Sequence, residues 1–398
     1  MSTNPHPQQT KLDFQNTELA FQARSDERLK RDFWLFKLVD SPSLTKVGPP
    51  MISFALNVGL PVTGMVRKTL FSLFCGGESL TETVSRSSML DKFGVKTILD
   101  YSVEGEKTES AFDATLAEFL ATLRQGARQS SIAMVACKMT ALAPFDLLAK
   151  VQLGEELKEG ETSAYNRVKR RVDDLARAAA ENRTPIYIDA EESWIQDTID
   201  QLTEELMAEY NKQSVIVYHT VQLYRHDRLE YLRGLIQHSK DHGYTLGVKL
   251  VRGAYMEKER DRAEEMNYPS PIQPDKAAAD ADYNAAIELC LQNIDTVSLC
   301  VGSHNEESCQ LLAERMDEMG LAHNHPHIWF AQLLSMSDHI TFNLAAQGFN
   351  AAKYLPYGPV KAVIPYLIRR AQENTSVAGQ ASREMQLLTK EMERRGLK

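Results

Sequence analysis

The feature that most restricts how this chain can fold is an alternation. Short runs rich in β-branched and apolar residues are each followed by a longer segment whose apolar residues recur at helical spacing. Eight such runs occur, at 96–101, 132–138, 186–189, 215–220, 246–251, 297–302, 328–334 and 351–355. Strand and helix in alternation produce a parallel sheet, and eight parallel strands close into a barrel. The expected fold is therefore a (β/α)8 barrel of the TIM type. The first and last runs contain Asp100 and Lys353, which also admits reading them as half-buried pieces of another element. Residues 1–95 read as a helical arm, with Leu29, Phe33, Phe36 and Leu44 at helical spacing. The barrel occupies 96–376, ending in a segment that is helical in pattern despite Pro365, and 377–398 reads as a C-terminal helix. A length of 398 residues suits one barrel with appended helices, and admits two smaller domains as well.

Composition narrows the class. Hydrophobic residues make up 43% and charged residues 25%, which are ordinary globular values that argue against disorder. A net charge of -9 opposes binding to nucleic acid, whose phosphates demand clustered Lys and Arg. The short cluster Lys169, Arg170 and Arg171 reads as the solvated face of a helix. Five cysteines, an odd number without C-x-x-C, favour neither a disulfide framework nor a thiolate zinc site, and fit a reducing compartment. The first nine residues are Pro- and Gln-rich with no apolar segment behind them, so a cytoplasmic location is expected. From 47 to 66 no charge occurs, about the length of a membrane span. Pro49, Pro50, Pro61 and Asn57 argue instead for a buried or interfacial segment, which leaves contact with a membrane surface open.

In an α/β barrel the active site lies at the C-terminal ends of the strands, so polar residues that end apolar runs are candidates. Lys138 ends the second run, Asp189 with Glu191 the third, Gln222 the fourth and Arg252 the fifth. Ser303, His304 and Asn305 end the sixth, Gln332 the seventh and Tyr354 the eighth. Singly, each is what any strand needs on returning to solvent. Together on one rim they form a concave site with both charge signs, donors and an aromatic, suited to a polar ligand plus a cofactor.

Common cofactor motifs are absent: no G-x-G-x-x-G follows a strand, and neither a phosphate-binding G-x-x-x-x-G-K-[ST] nor H-E-x-x-H occurs. No G-x-S-x-G elbow supports a serine hydrolase. The alternating His323, His325 and His327 fit a loop entering a strand better than a metal site, and no metal is expected. After the last run, Arg369 and Arg370 lie one helical turn from Glu373, an arrangement that on a surface would be an ordinary ion pair. Adjacent arginines project about 100° apart, so both meet one ligand only where their helix crosses the barrel mouth. Their planar forks would then suit a carboxylate.

These residues carry a family likeness. KLVRGAYMEKE (249–259), IDAEES (188–193), GSHN (302–305), YLPYGPV (354–360) and YLIRRAQEN (366–374) together resemble proline dehydrogenase of the monofunctional, eukaryote-like type, over about 100–376 and in family order. The resemblance implies a distorted barrel holding FAD that oxidises L-proline to Δ1-pyrroline-5-carboxylate, with a quinone as electron acceptor. It implies that Arg369, Arg370 and Lys138 bind the substrate carboxylate. Tyr354, Tyr255 and Leu334 would pack on the ring, and Asp189 would orient the basic groups. Positions that match cofactor contacts are Asp189, Gln222, Lys249, Val251, Arg252, Gly253, Ala254, Lys276, Ser303, His304, Asn305, Gln332 and Glu373. Glu104 matches an acidic gate residue that pairs with the first helix arginine. Two departures touch flavin packing: Ser303 replaces a frequent Thr, and Met256 a frequent aromatic. Three rivals stay open at this point. One is hydroxyproline dehydrogenase, against which Tyr354 argues; another is a flavin-free lyase using Lys138 as a Schiff-base amine; the third is a non-enzymatic binding barrel.

Overall fold

The fold is taken from a computed structural model, which describes residues 12–39, 63–103, 107–376 and 380–397. Side chains of 38–39, 371–376 and 380–382 lie outside the description, as do Glu104, Leu44 and nearly all of the uncharged stretch 47–66.

Eight parallel strands close in sequential order: β1 (Val95–Tyr101), β2 (Ile132–Lys138), β3 (Ile186–Asp189), β4 (Val217–Gln222), β5 (Leu246–Val251), β6 (Val297–Gly302), β7 (Ile328–Leu333) and β8 (Ala351–Tyr357). Closure is made by β8 pairing with β1 along seven residues, from Val95 with Ala351 to Tyr101 with Tyr357. Strands buried on both faces need apolar residues at successive positions, which is why the runs stood out in the sequence. Side chains facing inward, among them Ile98, Met134, Tyr187, Tyr218 and Cys300, fill the barrel, and the other set meets the helices.

Two strands end later than the sequence suggested. β4 begins at Val217 and reaches Gln222, and β8 extends to Tyr357 through Pro356. In β4, Asn211 Oδ1 accepts from Ile216 N and Val217 N, both at 2.9 Å, and so satisfies donors that a longer ladder would have used. The charges in the first and last runs also find places within true strands. Lys353, 1% exposed, pairs with Asp338 at 2.7 Å and donates to the Met336 carbonyl at 2.6 Å. Asp100 lies at the cavity end of β1 and accepts from the Ser102 hydroxyl.

Among the described residues, the helices of eight residues or more are α1 (Asp26–Val39), α2 (Leu80–Asp91), α3 (Glu109–Gly126), α4 (Phe145–Gln152), α5 (Glu159–Asn182), α6 (Ser193–Tyr210), α7 (Arg228–Asp241), α8 (Met256–Glu265), α9 (Lys276–Leu291), α10 (Glu306–Glu318), α11 (Asp338–Ala346), α12 (Val360–Ser376) and α13 (Gln380–Arg394). Several open directly at the active rim with side-chain caps, such as Asp275 on Ala278 N at 2.8 Å and Asn305 on Ser308 N at 2.9 Å. The distortion lies where the barrel closes. α2, which precedes β1, packs on β1 and β8, whereas α12, which follows β8, crosses to the mouth. There it joins an apolar cluster with Phe21, Leu29 and Phe36 of the arm, Phe71 and Phe74, and Leu387 and Leu388 of α13.

Candidate active site

The strand ends open into one cavity of about 460 Å³. Lys138, Asp189, Gln222, Lys249, Val251, Arg252, Gly253, Ala254, Tyr255, Lys276, Ser303, His304, Asn305, Gln332, Tyr354, Arg369 and Arg370 all line it, so the sequence candidates converge on one site.

Asp189 organises the floor. Its Oδ1 accepts from Lys249 Nζ and its Oδ2 from the Tyr354 hydroxyl at 2.7 Å. Lys249 sits over the rings of Tyr187 and Tyr354, 5.1 and 5.3 Å from their centroids, which holds a cation in a nearly buried place. Burial, with Asp100 and Asp189 adding like-sign repulsion, pushes the Tyr354 phenol well above its ordinary value, so it stays a donor.

On the other wall, Arg252 is fixed by Asp280 at 2.6 Å, by Ser303 Oγ at 2.9 Å and by Ser308 Oγ at 3.1 Å, with its guanidinium over Tyr283. Lys276 pairs with the same Asp280. Gln332 donates to Ser303 O at 3.0 Å and accepts from Thr341 Oγ1 at 2.7 Å. His304 Nδ1 meets Ser337 Oγ at 3.0 Å. Burial, then the cations Lys353 and Arg370, lower His304 to about 3, so its imidazole is neutral at physiological pH. Gly253 has φ +147, and a Cβ there would lie 2.3 Å from the Tyr224 ring, so only glycine lets the loop turn along the cavity.

Some expectations need correction. Leu333 lines the cavity, not Leu334, which packs outside the barrel with Phe342, Leu355 and Leu99 because successive strand residues face opposite sides. Glu191 does not reach the cavity: it is 3% exposed, and its carboxylate accepts from Thr140 N at 2.9 Å and from Thr140 Oγ1. Lys276 lines the rim yet is 68% exposed along its side chain. Glu104 and the Glu373 side chain lie outside the described residues. His323 serves the loop into β7, bonding the Gln347 carbonyl at 2.7 Å and stacking on Phe349. Sequence reasoning missed Thr220, Met336, Ser337, His339, Tyr366, Arg383 and Glu384 on the walls. Ser337 and His339 follow β7 in a stretch with no motif. Arg383 and Glu384 come from α13, which no strand-end argument reaches.

The chemistry of the walls fits a large polar cofactor. Thr220 Oγ1, Gln222 Oε1, His339 Nδ1 and Glu384 Oε2 line the cavity or belong to residues that do, are buried, and have no hydrogen-bond partner among the described residues. Buried polar atoms are ordinarily satisfied, so a set of orphans around one cavity marks the place of a ligand.

A profile of the proline dehydrogenase family matches residues 83–383, three quarters of the chain. The chain belongs to the proline dehydrogenase family. It is 33% identical over 324 residues to the carbapenem antibiotics biosynthesis protein CarD of Pectobacterium carotovorum, covering 81% of this chain and 84% of that protein. It is 30% identical over 413 residues to hydroxyproline dehydrogenase of Xenopus laevis, covering 94% and 88%, respectively. To the mitochondrial proline dehydrogenase 1 of Dictyostelium discoideum it is 29% identical over 97% of this chain and 75% of that one. Among solved structures, proline utilization A of Bdellovibrio bacteriovorus inactivated by N-propargylglycine superposes with a TM-score of 0.72 at 20% identity. The overlap covers 93% of this chain and 40% of that larger one, a likeness of fold.

Proposed function

We propose that this protein is an FAD-dependent proline dehydrogenase, oxidising L-proline to Δ1-pyrroline-5-carboxylate. The observation that carries the reading is the single cavity into which β2, β3, β5, β8 and α12 bring Lys138, Asp189, Lys249, Tyr354, Arg369 and Arg370. Lys138, Arg369 and Arg370 supply three cations to one small anionic group, which offsets the desolvation of a carboxylate bound there. Tyr354 and Tyr255 offer apolar ring faces for the pyrrolidine, and Leu333 replaces Leu334 in that role. Asp189 holds Lys249 and Tyr354 in register, so that the cationic and aromatic walls keep a fixed spacing.

Gln222, Lys249, Val251, Arg252, Gly253, Ala254, Lys276, Ser303, His304, Asn305 and Gln332 would hold FAD, with Glu373 and Glu104 assigned as cofactor contact and gate. When bound, FAD supplies the acceptor, at flavin N5, for the hydride that leaves proline C5. The residues of the clamp convert an encounter into an oriented transfer. Hydride leaves when the ring nitrogen is neutral, so turnover should rise with pH until proline's amine is deprotonated. Electrons would pass on to a quinone from a cytoplasmic enzyme at the membrane surface. Among the described residues no helix is long and apolar enough to cross a membrane. The barrel at 96–376 would carry the chemistry, with the arm at 1–95 and the helix at 377–398 as its appendages.

A visible spectrum before and after anaerobic addition of proline tests the reading: a flavin spectrum that bleaches is expected. Colourless protein, with substrate trapped on Lys138 by borohydride, would point to the lyase instead. Replacing Arg370 by Ala should raise the KM for proline at least about tenfold while the protein stays yellow, and an unchanged KM would sink the clamp. Preference for proline over hydroxyproline rests on Tyr354, whose hydroxyl is tied to Asp189 and whose ring fills the wall. Comparing turnover on the two imino acids decides between them.

A further inference from the structure

Glu384, in the second turn of α13, lies outside every strand-end motif. It lines the cavity and is nevertheless 1% exposed. Its Oε1 accepts from the backbone N–H of Ser337, while Oε2 is buried with no hydrogen-bond partner among the described residues. The neighbouring wall is built with care. Ser337 holds a left-handed backbone, φ +50, and its hydroxyl bonds His304. Glu306 ties His339 at 3.0 Å and Arg383 at 2.8 Å. His339 Nδ1 is a second orphaned polar atom of this wall. Among the described residues, the basic groups that face Glu384 are His339, tied to Glu306, and Arg24 from the arm and Lys353 from β8, both engaged by Asp338 at 2.6 and 2.7 Å. Glu384 therefore has an unbonded carboxyl oxygen, no ion-pair partner among the described residues, and a cavity beside it.

We propose that Glu384 is a cofactor-binding residue: its Oε2 makes a hydrogen bond to the bound flavin dinucleotide, and α13 thereby forms part of the cofactor's enclosure. This rests on the FAD reading above. Burial and the nearby Asp338 raise the Glu384 carboxyl while His339 and Arg24 lower it, with a net upward shift, so the group keeps its proton more readily than an exposed glutamate. In that form Oε2–H is a donor, and it meets an acceptor atom of the dinucleotide, while Oε1 keeps the Ser337 amide. The arrangement gives both carboxyl oxygens a partner, whereas an apolar side chain would leave the Ser337 amide unsatisfied.

The test uses the full-length holoenzyme and its E384A and E384Q variants. Flavin release is followed by the fluorescence that free FAD recovers on leaving the protein, and thermal midpoints are recorded alongside. E384A should release flavin about tenfold faster than wild type, the worth of one such hydrogen bond. E384Q should release it at close to the wild-type rate, because its amide both accepts from Ser337 and donates to the ligand. Wild-type release from E384A overturns the proposal, and so does a lowered midpoint with unchanged release, which would mark a mere brace. Should E384A fail to fold, infrared difference spectra on flavin reduction decide the matter. A protonated-carboxyl band that moves in wild type and vanishes in E384Q is expected, and its absence overturns the assignment. Wild-type protein that purifies without flavin sinks the functional reading itself. Wild-type protein that is yellow and bleached by proline, beside an E384A variant of unchanged release, sinks this inference alone.

Discussion

Two residues at the rim show how far the site depends on local packing and bracing. Glu191 clamps Thr140, two positions after Lys138, and its own backbone N–H donates to Gln196 at 2.7 Å while its carbonyl accepts from Gln222 at 3.0 Å. Burial pushes this carboxyl up to about 7, with Glu192 adding to the rise and the Thr140 bonds opposing it. A carboxyl raised on folding binds more protons folded than unfolded between its two values. Stability therefore falls as pH rises from about 4.5 to about 7 and levels off above. Replacing Glu191 by Gln removes that dependence. Urea unfolding across this range should show wild type losing up to roughly 3 kcal/mol against the variant, and a difference independent of pH would mean the group is ionised throughout. Gly253 makes the second case. Alanine there must either displace Tyr224 or abandon φ +147, so a loss on the order of 1–3 kcal/mol in urea, with lower flavin content, is expected. Wild-type stability and flavin content would show that the loop yields freely. Lys138, Asp189 and Tyr354 were legible because they break apolar runs at a known place in the fold. Glu191 satisfied the same rule and still lies outside the cavity, since a polar residue at a strand exit serves equally well as a brace.

At the scale of elements, the motif segments lock to one another before they serve a ligand. Glu259 of α8, fully buried, accepts from Ser193 N at 2.6 Å and Ser193 Oγ at 2.7 Å, and Lys258 pairs with Glu192. The end of IDAEES and the end of KLVRGAYMEKE are thus one joint, which fixes the loop from Arg252 to Tyr255 against β3. Cutting Glu259 back to Ala leaves the Ser193 amide unsatisfied at the start of α6, and about 1–3 kcal/mol of stability should go with it. A double-mutant cycle with Ser193→Ala isolates the hydroxyl part of the contact, and coupling near zero would show that the backbone amide carries it. The eight strands were readable because burial on both faces leaves a continuous apolar signature. The late ends of β4 and β8 were not, since Asn211 and Pro356 act through backbone contacts that periodicity does not record. Nor did any local pattern announce Arg383 and Glu384. They reach the cavity only because α13 is carried back over it by packing against α1 and α12.

Across the whole molecule, the described part of the arm and α13 meet and are held by charge as well as by apolar contact. Arg24 of the arm, 7% exposed, spans Asp32 at 3.1 Å and Asp338 at 2.6 Å, and Asp338 in turn pairs with Lys353 inside β8. Arg395 donates to the carbonyls of Phe21 and Arg24, and Lys390 to that of Gln15. Asp338 is held well below the usual carboxylate range, with Lys353 and then Arg24 as the charges that outweigh its burial. Removing Arg24 takes one cation from each of two buried carboxylates and leaves Arg28 on Asp32 and Lys353 on Asp338, so the cost should fall below the about 3–5 kcal/mol typical of breaking a buried pair from one side. With Arg24→Met, which keeps the bulk of the stem, the loss should fall mainly on the appendages, because the barrel has its own closed ladder and its own core. Limited proteolysis should therefore cut the arm and α13 at protease levels that leave the barrel whole. Since α13 walls the cavity proposed for FAD, the same variant should release flavin faster. If instead arm, α13 and barrel unfold in a single transition with flavin retained until that point, the clasp is an integral part of the barrel's cooperative unit, and the appendages have no separate stability to lose.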